Sequence, residues 1–466
     1  MRASPTSCTN AATLVQRRVA FFALGLEVLR ITLASSLAST VAPCGTFQLG
    51  IGQAAIIRTL TPNSIRYVAL VVIALSLAIA YGIWYSYSVI LVALLAEFGW
   101  SRSVLAGAFS VFTLVHGGVN PIIGALCARF RPLRVMAAGG AAMGLTLFGC
   151  SFISTPLELY IIFSVFTALS VSAGGWIPSL VFVQGQFTER LGLSIGIISS
   201  GVGVGMLLVV PLTQALIDAF GWRVAFQVLG LIAAVWIVPS SLWLRWKIRG
   251  RSPISFSPPP GQKSGSDPKP STTLAEAVKT QPFWLLMTAF FFGNVSSQTL
   301  HVHQVAFLVD HGLSAIVAAT VVGVVGFSSI FGKIGGGWLS DRMDREIVYV
   351  CGITIMVSSA FALLAMGGAP STWGAYGYAV LLGVGYSATA SLIPAMVSDR
   401  FSGRHFGSIV GVGLIGSAAG SALGPWMAGS LYDALGSYTL AFLIAAGCGV
   451  VAGLAGWRAR ALRRKG

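Results

Sequence analysis

The feature that most constrains this chain is a series of apolar runs, each long enough to cross a bilayer and separated by short polar breaks. A membrane helix needs about 20 apolar residues to span roughly 30 Å of hydrocarbon. Runs of that length are read at 67–93, 103–127, 134–153, 157–184, 191–216 and 223–244, and again at 282–308, 313–338, 347–367, 373–398, 406–431 and 437–457. The predicted fold class is an all-α integral membrane protein with twelve transmembrane helices in two pseudo-symmetric six-helix bundles. Of the 466 residues, 55% are hydrophobic and 9% charged, which leaves too little polar surface to cover a soluble core. Soluble enzymes, nucleic-acid-binding proteins and disordered scaffolds are excluded on that ground.

The net charge of +16 is explained by where the cations sit. Alternate loops and the C-terminus hold 20 of the lysines and arginines, while the opposite loops hold only Arg102 and Arg223. By the positive-inside rule the basic side is cytoplasmic, so both termini are expected in the cytoplasm. The basic excess is thus a topology signal rather than a polyanion site. Residues 1–65 read as a disordered extension, because Glu27 and Arg30 interrupt the apolar stretch there. Residues 66–245 form the first bundle and 282–458 the second. The Pro-, Ser- and Lys-rich 246–281 is a cytoplasmic linker, and 459–466 a basic tail. The six cysteines show no metal-ligand spacing, and no cofactor is expected.

The halves repeat. Phe98-Gly99-Trp100-Ser101 answers to His311-Gly312-Leu313-Ser314, GALCARFRPLR from Gly124 to GWLSDRMDR from Gly337, and Asp218-Ala219-Phe220-Gly221 to Asp433-Ala434-Leu435-Gly436. A parallel six-helix repeat implies two bundles that rock about a site between them. GWLSDRMDR resembles the loop signature of the major facilitator superfamily, between helices 8 and 9. The first-half copy keeps Gly124, Arg129 and Arg134 but has Ala128 where the acid belongs. The resemblance implies a gating role for Asp341, Arg342, Arg345, Arg129 and Arg134; a plain topogenic basic loop is the competing reading. YGIWYSYSVILVALLAEFGWSRS (Tyr81–Ser103), ERLGLSIGIISSGVGVG (Glu189–Gly205) and HVHQVAFLVDHGLS (His301–Ser314) are similar to the monocarboxylate porter and oxalate–formate antiporter branch.

Polar groups at membrane depth are expensive and therefore functional candidates. Lys333 is the only lysine or arginine inside a span, eight residues and hence about 12 Å from Asp341. Monocarboxylate porters carry an arginine at the corresponding place, so the resemblance implies a carboxylate contact; snorkelling to the interface is the alternative. His303, with His301 beside it, is a candidate to donate to a carboxylate or carry a proton, or else an interfacial histidine. Tyr81, Trp84 and Tyr85 line either a cavity or an interfacial aromatic belt. Asn294 and Gln298, four residues apart, share a face of helix 7. His116 and Asn120 share one in helix 2, suited to an interhelical hydrogen bond.

Dinucleotide-like Gly411–Gly416 and elbow-like Gly192–Gly196 lack the strand or sheet their chemistry needs, and phosphate-loop-like Gly326–Lys333 has one residue too many and Ile334 where Ser or Thr belongs. Without a nucleotide site, transport energy comes from an ion or counter-substrate gradient. The expectation is a non-enzymatic secondary transporter, multi-pass in the cell's inner (plasma) membrane. It would carry a small organic anion with a coupling proton, as a monomer in the lipid bilayer with no nucleic-acid partner. Anion exchange or drug efflux by the same fold are the alternatives, with a membrane enzyme or receptor further off.

Overall fold

The computed structural model describes residues 62–187, 191–248, 273–368, 370–401 and 406–463. Most of the expected extension and of the linker, and the tail beyond Arg463, lie outside the described residues. The first half contains α1 (Pro62–Phe98), α2 (Arg102–Phe130), α3 (Pro132–Cys150), α4 (Pro156–Gln186), α5 (191–220) and α6 (222–247). The second contains α7 (Gln281–Asp310), α8 (Ala315–Ser340), α9 (Arg345–Ala365), α10 (Thr372–Arg400), α11 (Phe406–Leu435) and α12 (Thr439–Arg463). Among the described residues, nine stretches are long and apolar enough to cross a membrane, one of them covering α5 and α6 together. Neither α7 nor α10 is among the nine; in α7, Asn294, Gln298, His301, His303 and Gln304 break the apolar run.

Local chemistry explains the helix ends. Ser101 caps α2 by accepting from the Val104 amide (3.3 Å), and Thr155 with Glu158 forms a reciprocal capping box at α4. Among the described residues, the glycines with positive φ are Gly99 (63°), Gly221 (83°), Gly312 (94°) and Gly436 (67°). These are the glycines of two repeated sequence marks, so the repeat is a repeat of turns. Within α4, Leu159–Thr167 winds as a π-helix, a detail no apolar pattern announces.

Glycine pairs set how the helices meet. Gly201 and Gly205 of α5 lie against the carbonyls of Ala74 and Ala78 in α1. Gly420 and Gly424 of α11 lie in the same way against Phe291 and Val295 of α7. Small residues four apart let backbones approach closely in a membrane, where apolar burial gives no drive for helices to associate. Across the halves, α2 packs on α11 and α8 on α5. These two contacts interchange when each helix is replaced by its counterpart six helices along.

Gly221 combines φ 83° with ψ 164°, a region essentially confined to glycine. Gly221→Ala is expected to cost about 1–3 kcal/mol and to lower the thermal unfolding midpoint of the detergent-purified chain. Gly335→Ala, at a helical position with open space around the added carbon, is expected to leave the midpoint unchanged or raise it.

Candidate functional site

A chain of rings drawn from both halves crosses the middle of the bundle. In α1, Tyr81 stacks on Trp84 at 5.7 Å, and Trp84 meets the His116 ring of α2 edge-on at 4.7 Å. Tyr85 lies 5.4 Å from His301 of α7, which meets Tyr386 of α10 at 4.7 Å. The Lys333 ammonium of α8 stands 5.7 Å over the Tyr386 ring, within cation–π range. The Tyr85 and Tyr386 hydroxyls hydrogen-bond each other. Lys333, Tyr81, Trp84 and Tyr85 are thus brought together with three groups, His116, His301 and Tyr386, that were not placed with them from the sequence. Tyr386 left only a faint signal, a tyrosine in mid-span.

Several polar atoms here are buried without a protein partner: Trp84 Nε1, His116 Nε2, Asn120 Oδ1, Gln298 Oε1 and His301 Nε2. Leaving a buried donor or acceptor unmade costs about 1–3 kcal/mol. Trp84, His116 and His301 carry three of these atoms within the chain of rings, and Asn120 and Gln298 lie one helical turn from His116 and His301. That grouping marks a site shaped for a polar ligand or water. The interhelical hydrogen bond expected of His116 and Asn120 is accordingly not made at these atoms. Asn294 lies lower in α7 and is half engaged: its Nδ2 donates to Phe290 O (2.8 Å) and its Oδ1 accepts from Ser421 of α11 (3.4 Å).

The site is open toward one end. A carbon added to Gly117 of α2 would stand only 2.6 Å from Ala418 Cβ of α11, and one added to Gly203 of α5 only 2.5 Å from the Gly326 carbonyl of α8. Two turns further toward the arginine-rich ends, on the same helix faces, lie Gly124, Gly411 and Gly196, and an added carbon on any of them meets nothing within 4 Å. Seven residues of helix are about 10 Å, so both cross-half pairs touch near the Arg102 end and diverge toward the basic end. Lys333 sits two turns beyond Gly326, on the divergent side.

The closed end is latched. Arg102 at the start of α2 pairs with Asp310 of α7 (2.8 Å), donates to the Tyr438 hydroxyl just before α12 (2.6 Å) and lies 3.8 Å over the Tyr432 ring. The Asp433 carboxylate of α11 accepts from the Arg102 and Ser103 amides (2.9 and 2.8 Å), a carboxylate at a helix N-terminus. His303 belongs to this latch rather than to the ring cluster. Its Nε2–H donates to Pro425 O (2.8 Å) and its Nδ1 accepts from Tyr438 (3.0 Å), so no ring nitrogen is left for a substrate. Sequence reasoning missed Arg102, although its isolation on the cation-poor side was the available signal.

At the basic end, the expected gating residues divide. Arg345 pairs with Asp399 of α10 (2.7 Å), and Asp344 with Arg460 of α12 (2.8 Å). Both pairs stay within the second half. The Arg342 guanidinium stacks on Trp338 at 3.8 Å, and Asp341 is exposed at the turn after α8. Arg129 lies over its neighbour Phe130 at 5.3 Å. Arg134 lines an apolar groove of about 590 Å³ between α2, α3 and α4. At the open end, the ion pairs made by Arg345 and Asp344 thus hold second-half helices to one another.

Breaking a charged contact of the latch removes about 1.5–3 kcal/mol. Arg102→Gln and Asp433→Asn are each expected to speed hydrogen exchange of the 101–106 amides about tenfold or more. Unchanged exchange would show that the latch does not hold this end shut.

The sequence matches the family model described as Major Facilitator Superfamily over residues 73–375 and 305–466. Among curated proteins it is 26% identical over 394 residues to monocarboxylate transporter 13 of Rattus norvegicus, covering 80% of this chain and 85% of that one. It is 28% identical over 386 residues to monocarboxylate transporter 11 of Mus musculus, covering 78% and 81%. A solved bacterial homologue of the human lysosomal transporter Spinster, in an inward-facing and unoccupied conformation, aligns with a TM-score of 0.65 at 16% identity. That alignment covers 86% of this chain and 98% of the other. Its fold agrees with the helical bundle described above, and the curated relatives are carriers rather than enzymes. The chain belongs to the major facilitator superfamily of multi-pass membrane transporters.

Proposed function

We propose that the chain carries a small, monocarboxylate-like organic anion together with a proton, by alternating access, across the cell's inner membrane. The supporting observation is electrostatic. The ring cluster holds one cation, Lys333, and among the described residues no carboxylate stands in it. An ammonium at membrane depth without a counter-ion is costly, and an anionic substrate is the charge that offsets it. The aromatic faces of Tyr81, Trp84, Tyr85 and Tyr386 suit the apolar body of a small acid, and Gln298 and His116 its remaining polar atoms. The similarity to monocarboxylate transporters agrees with this substrate class. Drug efflux would use the aromatic faces but leaves Lys333 without a role.

With the arginine-rich loops cytoplasmic, the state described is open to the cytoplasm and latched outside by Arg102. Asp341 and Arg342 are then free to make the opposing closure when the bundles rock the other way. Both termini are cytoplasmic in this orientation, and the two halves complete the site within one chain.

The test is uptake of radiolabelled lactate into proteoliposomes under an acid-outside pH gradient. Lys333→Gln is expected to reduce uptake about 30-fold or more, the equivalent of about 2 kcal/mol of charged contact. Lys333→Arg, which keeps the charge, is expected to retain a measurable part. Full uptake by Lys333→Gln removes the residue's role. Failure of the wild type to move any carboxylate removes the substrate class while leaving the fold intact.

A further inference from the structure

Two residues apart on α7, two histidines have opposite chemistry. His303 is 0% exposed with both ring nitrogens engaged, inside the latch where Arg102 and Asp433 act on it. His301 is 3% exposed and faces the ring cluster. Its Nδ1 lies 2.7 Å from the Ser297 carbonyl. A carbonyl only accepts, so Nδ1 carries the hydrogen and Nε2 carries the lone pair. Nε2 is buried with no protein partner. The titratable groups facing it are Tyr85 from α1, Tyr386 from α10 and Lys333 from α8, which is within electrostatic range. His116 and Tyr81 complete the cluster one ring further away. None of these groups is an acid.

We infer that His301 Nε2 takes up the coupled proton, and that the resulting imidazolium is a second donor to the substrate carboxylate, opposite Lys333. This rests on the anion-transport reading above. In the empty site the Lys333 charge opposes a second cation on His301. A carboxylate seated between them cancels that repulsion and accepts a hydrogen bond from Nε2–H. Anion and proton therefore each raise the affinity for the other, and the coupling is reciprocal. In the uptake step the Nε2 lone pair takes a proton from hydronium in the cavity, forming an N–H bond and leaving water. On the far side the same bond breaks toward water, and the substrate keeps all its own bonds. The loaded site adds one proton and one carboxylate to the empty one, so its net charge is the same in both crossings. Transport is electroneutral as a result.

Full-length chain in proteoliposomes decides this with two readouts on radiolabelled lactate: accumulation driven by an acid-outside gradient, and lactate–lactate exchange at equal pH. Wild type is expected to show both, with accumulation approaching about tenfold per pH unit, the limit for one proton per anion, and insensitive to an imposed membrane potential. His301→Asn keeps a donor for the Ser297 carbonyl but has no Nε2; His301→Gln places a non-titrating amide there. Both are expected to keep a slowed but measurable exchange, carried by Lys333 once the second donor to the carboxylate is weakened, which also shows that they fold, and to lose gradient-driven accumulation. Accumulation retained by either variant overturns the assignment. Complete loss of exchange in both also overturns it, because Lys333 remains to hold the carboxylate and exchange needs no net movement of protons. Wild type showing neither readout sinks the transport reading instead and is distinguishable from both.

Discussion

Inside hydrocarbon, a polar group that finds no partner has no water to fall back on, and most of this architecture follows from that constraint. The backbone meets it by being helical through nearly all of the apolar runs, with a break at Gly175 (φ −107°, ψ −125°) inside α4. Small hydroxyl side chains meet it by folding back onto their own helix: Ser86 donates to Gly82 O at 2.8 Å, Thr299 to Val295 O at 2.7 Å and Ser328 to Val324 O at 2.6 Å. Most buried serines and threonines are cheap at depth for that reason. Groups too large or too rigid to reach their own backbone, such as Trp84, Gln298 and the His301 Nε2, need something from outside the helix. Trp84 and His301 are joined through Tyr85 in the ring cluster that links the two halves.

The same absence of an apolar driving force between lipid-bathed helices explains the glycines. Helices associate by close backbone approach, at Gly201 and Gly205 against α1 and at Gly420 and Gly424 against α7. Contacts between the halves have the same character at Gly117 and Gly203 but are confined to one end of the bundle. Small residues and a few polar groups are what join the halves there. Arg102 illustrates the economy: one guanidinium ties α2 to α7 and to Tyr438 in the turn before α12, and its helix start is held by an acid from α11.

Much of the fold was legible because length and apolarity of a span are properties of consecutive residues. The helix positions fell within a few residues of those read from hydropathy, and Gly99, Gly221, Gly312 and Gly436 turned the chain where the repeat placed them. The site was legible in part. Lys333 stood out as a lone cation and Tyr81, Trp84 and Tyr85 as a local cluster, because each is anomalous within its own span. His301 and His303 were indistinguishable from sequence, since two residues on a helix point to different faces and only the neighbours of each face decide its chemistry. Tyr386 and Arg102 act through partners far away in the chain, and no local pattern encodes those meetings.

The sequence by itself determined that this chain spans a membrane many times, that it is built of two like halves, and that one cation is held at depth. Those follow from transfer free energies and from internal similarity, which need no coordinates. Only the tertiary structure decided which end is shut, which histidine is free, and that Lys333 shares one cluster with α1, α7 and α10. Each of these depends on side chains from helices distant in sequence arriving within hydrogen-bond or ring-contact range, and that range is a few ångströms, far finer than hydropathy can resolve.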